Sequence, residues 1–84
     1  MTYIIEITYL CEGNHAPLIE AITKFDDCCI HVKSVEELGD NYEIKGFKPL
    51  DLDPWQNPKQ EIDSYLKMVD SALGEYTHTV SSDN

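Results

Sequence analysis

The run Tyr3 to Leu10, YIIEITYL, constrains the fold more than any other stretch of the chain. Its side chains alternate on a period of two. Tyr3, Ile5, Ile7 and Tyr9 therefore share one face, and Ile4, Glu6, Thr8 and Leu10 the other. Glu6 interrupts the run and no basic flank precedes it, so it does not read as a signal peptide. It reads as a strand with one face committed to a core, and the rest of the chain must supply the layer that covers that face.

Gly13 and Asn14 punctuate the strand, and Asn14 is predicted to cap the next element. His15 to Phe25 reads as a helix with Leu18, Ile19, Ile22 and Phe25 as its apolar stripe; Pro17 falls early enough to be tolerated. Cys28 to Val35 is predicted as the second strand, Glu36 to Asn41 as a hairpin loop around Gly39, and Tyr42 to Phe47 as the third strand with Tyr42 and Ile44 facing the core. Lys48 to Asn57 carries Pro49 and Pro54 and is expected to be irregular. A second helix follows. Asn57 caps it, Pro58 opens it and Gln60 holds the capping-box position. Ile62, Tyr65, Leu66, Val69 and Leu73 form its stripe, and Gly74 ends it. Glu75 to Val80 alternates again and is expected to be a short last strand.

The order β-α-β-β-α-β resembles the ferredoxin-like split arrangement. Right-handed crossovers then imply a four-stranded antiparallel sheet in the order 4-1-3-2, with both helices on one face. Without the last strand a three-stranded βαββα relative remains. The expectation is one α+β domain over residues 1–80 and a frayed tail over 81–84.

Charge sorts the functions. The 84 residues hold 16 Asp and Glu against 6 Lys, with no Arg, for a net charge of −10. That field repels nucleic-acid backbones and anionic membranes and attracts basic surfaces. Without Arg the chain also lacks the usual bidentate phosphate ligand, so direct nucleic-acid binding is not expected. No stretch approaches the ~20 apolar residues of a membrane helix. An odd count of three cysteines at irregular spacing is unlike a secreted disulfide scaffold, and the expected compartment is the cytoplasm.

The topology places charge at two poles. Glu12, Glu36, Glu37, Asp40 and Glu75 gather at the upper end. Asp26, Asp27, Asp51 and Asp53 gather at the lower end, near Glu61 and Asp63. Asp26, Asp27 and Asp70 sit near helix C-termini, where the dipole disfavours anions. At the lower pole, P-L-D-L-D-P-W sets Leu50, Leu52 and Trp55 among aspartates. Its D-P-W end resembles endocytic adaptor-binding motifs. Leu50, Leu52 and Trp55 are expected to close the lower end of the core; an exposed Trp55 would instead be a binding anchor.

Other chemistries fit poorly. Cys11 and His15 flank the first loop as C-E-G-N-H, but the loop of ferredoxin-like heavy-metal carriers holds two cysteines. Cys29 and His31 lie at the other end of the predicted second strand, ~20 Å away, too far for four ligands to converge. Neither a metal nor another cofactor is expected. Cys11 sits among acids, which raise a thiol pKa, and nothing resembles an oxyanion site, so no catalysis is expected. An RNA-recognition domain of this fold needs aromatics on the open sheet face; here that face presents Ile4, Glu6 and Thr8 beside Glu43, Lys45 and Phe47.

The expected function is non-catalytic protein binding to a basic surface, as a monomer or weak dimer. The predicted contact residues are Asp26, Asp27, Asp51, Asp53 and Trp55 below, with Glu36, Glu37 and Asp40 above. Small Arg-free acidic domains of this kind resemble phage and mobile-element inhibitors of host nucleic-acid-binding complexes, of anti-CRISPR or anti-restriction type, whose carboxylates imitate nucleic acid. The alternative is a ferredoxin-like small-ligand or metal-binding domain that dimerises through its open sheet face.

Overall fold

A computed structural model describes residues 1–12 and 15–82. The elements are β1 (Thr2–Glu12), α1 (His15–Asp27), β2 (His31–Leu38), β3 (Asn41–Asp51), α2 (Pro58–Leu73) and β4 (Thr77–Ser82). The strands form one open antiparallel sheet in the order β2-β3-β1-β4, which is 4-1-3-2 read from the other edge. The fold is α+β. No helix among the described residues is long and apolar enough to cross a membrane.

The alternation of β1 sets the layers. Ile5, Ile7 and Cys11 are buried, and they share one core with Ile44 of β3, Ala21 and Phe25 of α1, and Val69 and Leu73 of α2. Both helices therefore cover the same face of the sheet. The stripe of α1 differs from expectation. Ile19 and Ile22 are exposed, and the covering residues are Leu18, Ala21 and Phe25. Small Ala21 lets α1 approach the sheet, and this phase leaves Ile19 exposed and sets Ile22 beside Val32 of β2.

Four boundaries move. Cys28 and Cys29 do not begin β2; they terminate α1. The Ile30 amide bonds back to the Phe25 carbonyl at 2.8 Å and the Cys29 amide to Asp26 at 3.0 Å. Cys29 takes a positive φ of 59°. Those are the two bonds and the left-handed residue of a Schellman stop, here without its usual glycine. Glu36 and Glu37 are not loop residues, because β2 and β3 run on to a two-residue turn at Gly39–Asp40. Gly39 alone has positive φ there, at 64°, as a type II′ turn requires of its first central position.

β3 continues through Lys48, Pro49 and Leu50 to Asp51, where irregular chain was expected. β2 reaches only as far as Phe47, so β3 beyond it has β1 on one side and, among the described residues, no strand on the other. Proline's missing N–H is tolerated at such a local edge. Ser81 and Ser82, expected in a frayed tail, lie in β4 opposite Ile4 and Tyr3. Residues 83 and 84, and the predicted Asn14 cap, fall outside the described residues.

Candidate functional site

The lower pole is a braced turn. Asp53 and Gln56 exchange two bonds: the Gln56 amide donates to the Asp53 carbonyl at 3.0 Å, and the Asp53 amide donates to Gln56 Oε1 at 2.7 Å. Asp at the first position and Pro54 at the second suit such a turn. The chain on either side is held too. The N-terminal ammonium donates to the Leu52 carbonyl at 3.1 Å, and the Leu52 amide returns a bond to Met1 at 2.9 Å. Asn57 Oδ1 accepts from the amides of Lys59 and Gln60, as its capping role predicts.

Leu52 is buried and Leu50 packs against the core, so these two close the lower end as expected. Trp55 does not. It stands at the tip of the turn, 81% exposed, two residues after the exposed Asp53 and four after the exposed Asp51. The reason is geometric: the two bonds across Asp53–Gln56 leave Pro54 and Trp55 as the corner residues, pointing off the core.

The predicted upper residues share one end of the sheet but not one face. Glu36 and Glu37 are neighbours on β2 and so face opposite sides of the sheet, with Glu36 opposite Glu43 and Glu37 opposite Tyr42. Asp40 is in the hairpin turn. Asp26 and Asp27 are exposed at the end of α1. Asp26 lines a shallow cleft with Ile22 and Val32.

One surface was not foreseen, and the open sheet face, expected to carry Glu6 and Glu43, is more acidic than expected. Ile19 and Ile22 of α1 are exposed, and so are Val32 and Val35 of β2, which the register puts on the helix side opposite Gly46 and Ile44. The open sheet face gathers Glu6, Glu12, Glu36, Glu43 and Asp51, with Lys45 and His31 as its bases among the described residues. Lys45 pairs with Glu43 at 3.4 Å, and the His31 ring lies 5.3 Å from that of Phe47. The signal for this face was the Gly39–Asp40 pair: read as a two-residue turn, it sets Glu36 opposite Glu43.

The two buried thiols, Cys11 and Cys28, are poor nucleophiles. Burial pushes the Cys11 thiol up, and Glu20 adds to it against an opposing Lys24. Burial followed by the Asp27 charge does the same to Cys28. All three cysteines are free. Among the described residues no three His, Cys, Asp or Glu side chains converge on a common point; the His15 side chain, across the first loop from Cys11 in sequence, lies outside the described residues.

No protein-family model and no curated protein matches the chain. Among solved structures, a formyltetrahydrofolate deformylase from Pseudomonas putida KT2440 is similar over 98% of this chain and 29% of its own, with a TM-score of 0.39 and 6% identity. This chain thus spans less than a third of that protein's length. At that level neither fold nor function transfers.

Proposed function

We propose that this protein is a small, acidic, non-catalytic binding domain that docks on a basic protein surface through the Trp55 turn. The observation that carries this reading is an 81%-exposed tryptophan on a hydrogen-bonded turn, preceded in the chain by the exposed Asp51 and Asp53. Trp is the most enriched anchor residue at protein interfaces, and a turn ordered beforehand loses little entropy on binding. The carboxylates steer a cationic partner to it.

The narrower reading is an inhibitor of a host nucleic-acid-binding complex, of the anti-CRISPR or anti-restriction kind, working in the cytoplasm. A net charge of −10 supports it, as do the carboxylates ranged over the open sheet face. We read the strand order and the helices sharing one face as the ferredoxin-like arrangement. The alternative of a ligand-binding dimer through that open face is disfavoured, because Glu6, Glu12, Glu36, Glu43 and Asp51 would meet their own copies.

Capture of partners from a bacterial lysate at low and high salt tests the reading. The wild type should retain a nucleic-acid-binding protein that salt releases, and both Trp55→Ala and the pair Asp51→Lys with Asp53→Lys should lose it. These residues are exposed, so thermal unfolding should barely move. If both variants hold the partner as tightly as wild type, the lower pole is only a solubility feature.

A further inference from the structure

β1 is longer than its neighbour on one side. It pairs with β3 along its whole length, but β4 covers it only from Tyr3 to Thr8. From Tyr9 to Glu12, alternate residues turn both N–H and C=O away from β3. Among the described residues no backbone bond joins them to the Gly74–Tyr76 segment that passes nearby. This is a sheet edge without its strand.

A groove of about 1060 Å³ opens beside Thr8 and Leu10 of β1, and Leu10 and Glu75 also line a smaller cleft where Tyr9, Cys11 and Glu12 meet Glu20 and Lys24 of α1. Leu10, Leu66 and Tyr76 give the groove apolar surface, and the Tyr76 hydroxyl donates to the Leu66 carbonyl at 3.3 Å, tying the start of β4 to α2. Its rim carries Glu43, Asp63, Asp70 and Glu75 against a single Lys67. The outer edge of β2 is the rival. There the register shifts between Val32 and Ser34, leaving Lys33 as a bulge, and a bulge with a lysine blunts an edge strand against further pairing. The edge of β1 has neither device.

We propose that the free edge of β1 accepts an extended cationic segment of a partner protein, added as a short strand in line with β4. Main-chain bonds to Tyr9–Glu12 would supply affinity. Alternate side chains would meet the apolar floor, and the others the acidic rim. Charge complementarity selects this occupant over a second copy of the chain, whose net charge of −10 repels it. The site is separate from the Trp55 turn and does not depend on it.

The test uses the intact protein, labelled with ¹⁵N, and an end-capped peptide of alternating lysine and valine, seven residues long. Amide signals of Tyr9–Glu12 and Gly74–Thr77 should shift, and amide exchange along Tyr9–Glu12 should slow. Asp63→Lys with Glu75→Lys should weaken binding by about tenfold or more, and so should N-methylating alternate peptide amides. Trp55→Ala should bind the peptide as wild type does, which separates this site from the lower pole. The proposal fails if the N-methylated peptide binds equally well. It also fails if the shifts map elsewhere or are absent up to about 1 mM peptide. A concentration-dependent dimer that the peptide dissociates would mean that a second copy fills the edge, and would overturn it as well.

Discussion

The Tyr65 hydroxyl donates to the carbonyl oxygen of Cys28 at 2.8 Å, across 37 residues of chain. Cys28 follows the last residue of α1, where carbonyls lack intrahelical partners. The bond therefore ties the middle of α2 to the end of α1 and satisfies one of those carbonyls. Tyr65→Phe keeps the ring and removes the donor. It should cost about 1–2 kcal/mol in urea unfolding with an unchanged m-value.

Four buried or half-buried acids set an alkaline limit. Burial raises Cys11 and Cys28 above their ordinary 9.0, and raises Tyr65 and Tyr76 above 10.0, with the neighbouring Asp70 adding to the effect at Tyr76. Each folded group holds its proton to a higher pH than the unfolded one. Their contribution is fully present below about pH 9 and falls as pH rises beyond it, because the unfolded chain releases protons first. Melting temperature should decline above pH 9, and Tyr65→Phe should make the decline shallower.

Cys29 holds a left-handed backbone that glycine adopts without strain. Its side chain is exposed, so little packing is lost on removal. Cys29→Gly should raise stability by about 0.5–1 kcal/mol, measured by thermal or urea unfolding. Cys29→Val should lower it.

Gly46 needs to be glycine for space rather than for φ. A Cβ there would sit 2.6 Å from Ile30 Cγ2, 2.8 Å from the His31 carbonyl oxygen and 3.0 Å from Phe25 Cε2. Neither the β2 backbone nor the fully buried Phe25 ring can yield cheaply. Gly46→Ala should therefore destabilise by about 1–3 kcal/mol or more.

Glu36 and Glu43 are opposed across β2 and β3. Like charges in that position cost stability and opposite charges add it. Glu36→Lys should stabilise the fold by about 0.2–1 kcal/mol, with the gain shrinking in high salt.

Much of the fold was legible because it rests on local periodicity. The alternation of YIIEITYL named the buried face of β1. Asn57, Pro58 and Gly74 bounded α2 to the residue. Chain order and crossover handedness were enough for the strand order. Apolar stripes and caps are properties of neighbouring residues, so one sequence displays them.

What only the tertiary structure decided concerns residues whose role depends on a distant neighbour. Cys28 and Cys29 read as strand until the bonds of Ile30 and Cys29 back to α1 make them a helix stop. Pro49 reads as a breaker until the short reach of β2 leaves β3 an edge to hold it. Ile19 and Ile22 fit a helical stripe as well as Ala21 does, and only the close approach of α1 to the sheet chooses between them. Trp55 is as apolar as Leu52, yet Leu52 is buried and Trp55 is not. The bonds from Met1 to Leu52 and from Asp53 to Gln56 set which one turns inward. Burial and edge exposure are decided by what packs beside a residue in space, and periodicity along the chain does not record that.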